Sequence, residues 1–351
     1  MCLDHSRQYL DVSRYRKLVK CSRRKVFKWV PKTKTETFNE FRHLAEQKDE
    51  LIRSVERDIV MIAREADLRL LSGANLTLFA DRTFQYSPKH FKQMLTIFTL
   101  SNRYYIPVCH FLLQNKLFTT YKKSLEMLAN ECSRLSIDLN VANIMLDFEA
   151  GLIKAFRKTF PTANIQGCRF HLGQSWWRTI GKLGLAAAYK SAHTRDGRWL
   201  RRCFGLQLLP AHLVKNVFEK AFRLARPDKA TPFADYLRKN YINDDSPFPP
   251  STWAGLTGKR TNNGAESFNR HFGDLFGYLH TKPNIWQFCR TMKLYNIIKD
   301  TKMVSSKTLK EISDFWTVNI DAYVSKKISV IKLLDKLSLK CQPKTKSKMR
   351  K

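Results

Sequence analysis

The most constraining feature of this sequence is a change of hydrophobic period near residue 76. Three short segments rich in aromatic and aliphatic residues follow one another at 76–84, 93–100 and 104–113. Turn-forming pairs separate them, Ser87-Pro88 in the first gap and Ser101-Asn102 in the second. Apolar segments with short polar links of this kind predict three strands in an antiparallel meander.

After the meander, the pattern alternates between helix and strand. A helical spacing at 119–135 is followed by an apolar strand at 143–146, a helix at 149–159, a strand at 164–170 and a helix from His171. The predicted order β-β-β-α-β-α-β-α joins an antiparallel meander to α/β crossovers. Because this order is uncommon, it predicts an α/β fold with a ribonuclease H-like mixed sheet.

Composition and hydrophobic spacing divide the rest of the chain around this core. An amphipathic spacing predicts a helical packing element before it, and helical segments broken by prolines predict an insertion after it. The predicted segments are a basic, flexible N-terminal arm at 1–35, a helical lead-in segment at 36–70, the first part of the core at 71–189, the α-helical insertion at 190–260, the last catalytic helix with C-terminal helices at 261–325 and a basic tail at 326–351.

The charge of the chain restricts its partners. It has 63 Lys and Arg against 30 Asp and Glu, a formal net charge of +33. Self-repulsion at this charge destabilises a compact chain, so the excess indicates a polyanionic partner, with nucleic acid as the first candidate. Most of it lies in the N-terminal arm, the insertion and the tail. A hydrophobic content of 43% excludes a wholly disordered protein.

Several sequence features bear on localisation. No run of about 18 apolar residues is present, and Met1–Asp11 has no apolar signal-peptide core, so no membrane contact is expected. The eight cysteines are scattered without a Cys-x-x-Cys pair, which indicates a reducing compartment, cytosol or nucleus. The basic run Arg23-Arg24-Lys25 is a candidate nuclear-import signal, and the expected localisation is the nucleus.

Carboxylates mark the ends of two predicted strands. Asp81 ends the first strand of the meander and Asp147 ends the fourth strand. These strands are neighbours in a ribonuclease H-like sheet, so the two acids should face each other and share Mg²⁺ or Mn²⁺. Glu266, opposite the apolar stripe of the last helix, is the natural third ligand of a two-metal site. Glu149 is a rival ligand, although an acid in a first helical turn often only complements the helix dipole.

Cys168 and His171 form a Cys-x-x-His motif, which is half of a zinc ligand set. Three residues are candidates to complete this ligand set, and nothing in the sequence distinguishes among them: Cys203, His193 and His271. A structural role at the start of the insertion is favoured over zinc.

A basic segment near residue 200 is a weaker candidate for DNA contact. Its cations would neutralise phosphates and Trp199 would stack on an unpaired base. The alternative is a basic solvated helix with Trp199 buried, and the sequence leaves both open. The candidate DNA-binding residues are Arg82, Arg195, Arg198, Trp199, Arg201, Arg202, Lys259 and Arg260.

Five segments of the chain share a pattern with one protein family. They are Leu78-Phe79-Ala80-Asp81-Arg82-Thr83-Phe84, Pro88-Lys89-His90-Phe91-Lys92-Gln93-Met94, Leu146-Asp147-Phe148-Glu149, Gly167-Cys168-Arg169-Phe170-His171-Leu172-Gly173-Gln174-Ser175-Trp176-Trp177 and Thr261-Asn262-Asn263-Gly264-Ala265-Glu266-Ser267-Phe268. Through them the chain resembles Mutator-like element (MULE) transposases over roughly residues 59–300. The Cys-x-x-His and Asn-Asn-Gly-Ala-Glu-Ser segments are the most specific.

The resemblance implies a DDE-type catalytic core with Asp81, Asp147 and Glu266 as the three carboxylates. The implied activity is Mg²⁺-dependent DNA strand cleavage at transposon ends, followed by strand transfer by the freed 3′-hydroxyl into target DNA. No covalent protein–DNA intermediate is expected. Transposases of this kind usually act as homo-oligomers on paired ends, although the sequence shows no dimerisation motif.

The chain departs from the family pattern in two ways. Arg82 stands where the family usually has Gly, and its side chain would compete with the metal, clamp a phosphate or point away along the strand. The zinc fingers that some relatives carry are not found, which predicts a truncated copy or a core without its own sequence reader. Two alternatives to a transposase are a non-catalytic, transposase-derived DNA-binding protein and, less favoured, a ribonuclease H-like nuclease acting on RNA or hybrids.

Overall fold

A seven-stranded sheet organises the part of the chain that precedes the insertion. Its strands are β1 (Ile52–Glu56), β2 (Ile59–Ile62), β3 (Gly73–Thr83), β4 (Gln93–Ser101), β5 (Tyr104–Leu113), β6 (Leu139–Leu146) and β7 (Asn164–Gly167). The computed structural model describes residues 30–101, 104–191, 193–225, 228–255, 263–276 and 282–301, with several residues between 319 and 336.

Helices cover the sheet and continue beyond it. In chain order they are α1 (Lys34–Glu46), α2 (Glu65–Leu68), α3 (Phe118–Arg134), α4 (Ala150–Thr159), α5 (Arg169–Lys182), α6 (Ala186–Lys190), α7 (Arg195–Gly205), α8 (Ala211–Ala225), α9 (Thr231–Leu237), α10 (Asn263–Phe276) and α11 (Ile285–Thr301). Within the described residues, no helix is both long and apolar enough to span a membrane.

The sheet mixes antiparallel and parallel strands, in the order β1-β2-β5-β4-β3-β6-β7. β3, β4 and β5 pair as an antiparallel meander, whereas β6 runs parallel to β3 and β7 parallel to β6. The predicted mixed α/β sheet is therefore confirmed. The last predicted strand ends earlier than expected, at Gly167, because the chain turns at Cys168 and α5 already begins at Arg169.

The predicted helix over 36–70 is wrong between Glu46 and Glu65. The chain there forms the hairpin β1–β2, in which Glu56 pairs with Ile59 and Arg57 takes a positive φ of 43° at the turn. All four residues of β2 are buried, three of them isoleucine or valine, which favour strands. The apolar spacing alone did not distinguish a helix from a hairpin packed on both faces. Since β2 also pairs with β5, this hairpin extends the meander at its outer edge.

Two helical layers enclose the sheet. On one face α3 and α4 pack through residues such as Leu125 and Phe156 onto Leu78 and Ile144 of the central strands. On the other face α1, α10 and α11 form a separate aromatic core. Its members include Phe38, Phe41, Phe79, Phe98, Phe268, Phe272 and Phe288. The ends of β3 and β6 therefore lie between two apolar layers, where charged side chains lose most of their contact with water.

The helical segment after α5 has a core of its own. Trp176 of α5, Trp199 of α7 and Trp253 are buried in it, and the edge of the Trp176 ring packs against the ring of Trp253 at a centroid distance of 5.6 Å. The start of α5 thus belongs to the layer on the sheet, and the rest of the helix belongs to the insertion. This shared helix connects the insertion to the edge of the sheet where Asp81 and Asp147 lie.

Candidate active site at the ends of β3 and β6

Asp81 and Asp147 lie at the same edge of the sheet. Asp81 is near the end of β3, and Asp147 comes directly after β6. The two strands are parallel, with Phe79 opposite Met145, so continuing each strand by two residues reaches the two acids. Their charges interact, since the charge of Asp147 helps to raise the pKa of Asp81. The structure brings these two residues together as the sequence predicted.

Asp81 faces the layer of α10 and has neutral neighbours. It is 4% exposed, and Asn269 of α10 donates an amide hydrogen bond to its Oδ2. Nε2 of His171 lies 3.9 Å from its Oδ1, and burial lowers the pKa of that imidazole, so the ring is neutral at pH 7. Burial, and then the charge of Asp147, raises the pKa of Asp81 to about 7.

Asp147 has a cationic neighbour instead. Nη2 of Arg82 donates to Oδ2 of Asp147 at 2.6 Å, and Nη1 donates to Oε2 of Glu149 at 2.7 Å. The same Nη1 also donates to the hydroxyl of Tyr121 at 3.1 Å, and this hydroxyl accepts a second bond from Gln93 at 2.9 Å. The Arg82 side chain is 9% exposed. The guanidinium is therefore fixed inside the protein between two carboxylates.

Strand geometry explains why adjacent residues have such different partners. Successive side chains of a strand point to opposite faces, so Asp81 turns to the α10 layer and Arg82 to the layer of α3 and α4. Tyr121 is on α3, and Glu149 directly precedes α4. Of the three alternatives for Arg82, the structure excludes the last: the side chain does not point away along the strand but pairs with Asp147.

Helix α10 approaches the sheet very closely at its start. A Cβ atom on Gly264 would lie 2.1 Å from the ring of Tyr105, and Ala265 is fully buried. These two small residues allow the helix to dock on β3 and β5. Glu266 follows them, three residues before Asn269, but its side chain lies outside the described residues. Its role as the third carboxylate stays a prediction.

The charges of the site fit a divalent cation. Three negative charges are present when Asp81, Asp147 and Glu149 are ionised, and Arg82 contributes one positive charge. Oδ1 of Asp147 is also a buried oxygen without a hydrogen-bond partner. Carboxylate oxygens that are buried without a hydrogen-bond partner suit Mg²⁺ or Mn²⁺. Where side chains are described, no three His, Cys, Asp or Glu groups are arranged to hold a metal, so Asp81 and Asp147 form only part of a ligand set.

The Cys-x-x-His motif connects the sheet to the insertion. Cys168 is fully buried, and its backbone N–H donates to the carbonyl of Leu146 at 2.7 Å. His171 lies in the first turn of α5 and points Nε2 toward Asp81, while its Nδ1 is buried without a partner. Among the residues that were candidates to complete a zinc site, Cys203 lies in the insertion core and His271 contacts Ser267. His193 is exposed.

The basic segment on α7 is divided between core and surface. Trp199 is 2% exposed in the insertion core, so stacking on a base is the wrong alternative for this residue and burial is the right one. Arg201 donates to the carbonyls of Tyr189 and Lys190.

Other basic candidates differ in their availability. Arg202 forms an ion pair with Asp335 at 2.6 Å. Arg195 and Arg198 are exposed on α7 and remain candidates for phosphate contact. Lys259 and Arg260 lie outside the described residues.

Three residues of the site were missed from the sequence. Asn269 is one helical turn beyond Glu266, and this spacing was the available signal. Gln93 lies in a segment used for the family resemblance, but without an assigned role. Tyr121 lies in the helix predicted at 119–135, without an assigned role; its ring is buried, and its hydroxyl reaches Arg82.

One comparison with known proteins is positive. Residues 77–175 match the family model of the MULE transposase domain. This part of the chain is therefore similar to the MULE transposase domain, which confirms the predicted resemblance over this range. The matched range contains Asp81, Arg82, Asp147 and His171, whereas Glu266 lies beyond it. No curated protein matches the chain.

Proposed function

We propose that the chain is a DDE-type MULE transposase, or a truncated derivative, that cleaves and transfers DNA strands at transposon ends. The observation that carries the proposal is the pair of carboxylates, Asp81 and Asp147, at the ends of parallel neighbouring strands inside a MULE transposase domain. The order β5-β4-β3-β6-β7, three antiparallel strands followed by two parallel ones, supports a ribonuclease H-like sheet. We expect the protein to act in the nucleus as a homo-oligomer.

In this proposal Asp81 and Asp147 hold Mg²⁺ or Mn²⁺ together with Glu266. A divalent cation held there would supply activation of the attacking oxygen and neutralisation of charge on the phosphate. The rest of the site positions these ligands. Asn269 fixes one oxygen of Asp81, and Arg82 fixes Oδ2 of Asp147 and leaves Oδ1 free. His171, being neutral, adds no positive charge that would repel the cation.

The DNA would enter along basic surfaces outside the sheet. The exposed Arg195 and Arg198 on α7 support this path, because the insertion is joined through α5 to the edge that carries Asp81. Phosphate contacts of this kind make binding fall steeply with salt. A flat salt dependence of DNA binding would contradict the proposed partner.

The decisive experiment compares the wild-type protein with Asp147→Asn on supercoiled DNA in Mn²⁺ or Mg²⁺. Losing a side chain that only orients a metal ligand costs about 10–100-fold in activity, so losing a proposed ligand itself should reduce nicking by roughly 100-fold or more. Asp244→Asn is the matched control, because Asp244 is an acid with an 85% exposed side chain, and it should nick like the wild type. Equal nicking by wild type and Asp147→Asn, or nicking by neither, would contradict the catalytic proposal.

A second candidate function is a transposase-derived protein that binds DNA without cutting it. The observation in its favour is the Arg82 guanidinium, which forms ion pairs with both Asp147 and Glu149. Salt-sensitive DNA binding without nicking in either metal would support this candidate. An RNA–DNA hybrid tested beside the plasmid distinguishes a nuclease of the ribonuclease H type, which would cut the hybrid preferentially.

A further inference from the structure

Two exposed apolar side chains lie beside the acidic site without belonging to it. Leu117, at 60%, and Phe84, at 42%, are the most exposed large hydrophobic residues of the described chain. Phe84 directly follows β3, three residues after Asp81. The guanidinium carbon of Arg82 lies 5.8 Å from the centre of the Phe84 ring, and Nη2 of the same group donates to Asp147. A single side chain therefore separates the exposed ring from the acidic site.

Each of two aromatic rings at this edge has a lysine over it. Nζ of Lys116 lies 4.3 Å from the centre of the Phe84 ring, and Nζ of Lys154 lies 4.9 Å from the centre of the Phe118 ring. Both lysines are exposed. Because residues 116–118 are consecutive, the two pairs form one surface. We call it the aromatic–lysine patch, and its members are Phe84, Lys116, Leu117, Phe118 and Lys154.

The start of α4 holds the patch at the edge of the sheet that carries Asp147. A Cβ atom on Gly151 would lie 3.3 Å from the carbonyl oxygen of Lys116 and 3.6 Å from the backbone nitrogen of Phe118. Helix α4 thus packs directly against the segment at 116–118. Since α4 begins at Ala150, three residues after Asp147, the patch and the acidic site share this edge.

The chemistry of the patch favours one kind of occupant. A purely apolar partner would have to remove water from both ammonium groups without giving them a counter-charge, which is costly. A nucleic-acid strand satisfies both features, because its bases stack on aromatic rings and its phosphates pair with lysines. Base stacking is stronger than a cation–π contact at an exposed site, so the flexible Lys116 can leave the Phe84 ring for a phosphate. In a duplex the base faces are covered, and only unpaired bases can reach the rings.

We propose that the aromatic–lysine patch binds unpaired bases of single-stranded DNA next to the acidic site, with Phe84 as the stacking surface. The inference rests on the proposed function in taking DNA as the partner, and it adds that the strand is held unpaired on the β3 and α4 side. Trp199 is buried in the insertion and cannot stack on a base, whereas the Phe84 ring is open to one.

The test measures binding of labelled oligothymidine, and of a duplex of the same length, by fluorescence anisotropy in chelator. Phe84→Ala should weaken single-strand binding about tenfold and duplex binding less than about twofold. Phe84→Leu keeps apolar bulk without a ring and should lose as much, whereas Phe84→Trp should bind at least as tightly as the wild type. Leu70→Ala is the matched control, because Leu70 is a 37% exposed apolar residue before the opposite end of β3, and it should change neither affinity.

An oligonucleotide with abasic sites separates stacking from other effects. Without bases to stack, the wild type and Phe84→Ala should bind it equally. Lys116→Gln should make the logarithm of the single-strand affinity less steep in the logarithm of salt concentration by about 0.7, the loss of one phosphate contact.

Three results would overturn the inference. They are an unchanged single-strand affinity in Phe84→Ala, an equal loss on single strand and duplex, and an equal loss on the abasic strand. A wild-type dimer that Phe84→Ala dissociates, with oligonucleotide binding unchanged, would assign the patch to a second copy of the chain instead. Because the assay contains no divalent metal, single-strand binding through Phe84 can stand while nicking fails, and nicking that depends on Asp147 can stand while this inference fails.

Discussion

The two sides of the acidic site differ in how the protein treats a buried carboxylate. On the α10 side, Asp81 has an amide and a neutral imidazole as its side-chain neighbours, and burial together with the charge of Asp147 raises its pKa to about 7. On the α3 and α4 side, Asp147 has a guanidinium that keeps it paired. One acid is therefore buried without a cationic partner, and the other is paired with one. The comparison teaches that neighbouring acids at the ends of parallel strands need not have equivalent electrostatic surroundings.

The largest effect on this difference is expected when the positive charge of Arg82 is removed. In chelator, Arg82→Gln should lower the free energy of unfolding by about 3–5 kcal/mol, because Asp147 and the partly buried Glu149 would lose their charged partner. Arg134→Gln removes an arginine whose side chain is 60% exposed and should cost at most about 1 kcal/mol. Urea unfolding measures both. Similar losses in the two variants would show that the Arg82 pairs are no more valuable than a surface contact.

On the unpaired side, removing the charge should stabilise the protein. The pKa of Asp81 is about 7 in the folded state, above its ordinary value of 3.8. The folded chain therefore keeps a proton that the unfolded chain has lost between about pH 4 and 7, and stability falls as the pH rises through this window.

Asp81→Asn should accordingly raise the free energy of unfolding at pH 8 in chelator, by up to roughly 4 kcal/mol, and by less at pH 5. Urea unfolding at the two pH values checks the result. Saturating Mn²⁺ should remove the advantage of the variant at pH 8, because the ion favours the ionised carboxylate. A variant that is less stable than the wild type at pH 8 in chelator would contradict this description of Asp81.

A smaller effect is expected from the amide that supports Asp81. Asn269→Ala removes the hydrogen bond to Oδ2 and should cost about 1–3 kcal/mol at pH 8, where the carboxylate is ionised. Its cost should be lower at pH 5. Asn39→Ala, on the exposed surface of α1, should change stability by less than about 0.5 kcal/mol. Equal costs at the two pH values would mean that Asn269 does not act through Asp81.

The smallest effect concerns the hydroxyl that helps to hold Arg82. Tyr121→Phe keeps the buried ring and removes only the acceptor used by Arg82 and Gln93. The expected loss is about 1 kcal/mol. A double-mutant cycle with Arg82→Gln measures the coupling, and additive losses would show that the hydroxyl does not position the guanidinium.

Much of this arrangement could be predicted because it follows from local periodicity. The meander, the two crossovers and the acids at the ends of their strands are encoded within segments of about ten residues. The hairpin at 52–62 could not be recognised, since apolar residues at helical spacing also fill both faces of short strands. The partners of Arg82 could not be predicted from the sequence either. Tyr121 and Glu149 are distant from Arg82 along the chain, and only the fold brings the three side chains together.

Asn269 is 188 residues from Asp81 along the chain, and its helix docks on the sheet through Gly264 and Ala265. Closing a loop of that length carries an entropic cost that is repaid only when both ends are formed. During synthesis the sheet and the insertion emerge first, and the α10 side of the site cannot exist until they have. A growing chain thus completes the sheet before Asn269 can reach Asp81, and the hydrogen bond that holds this carboxylate is among the last parts of the site to form.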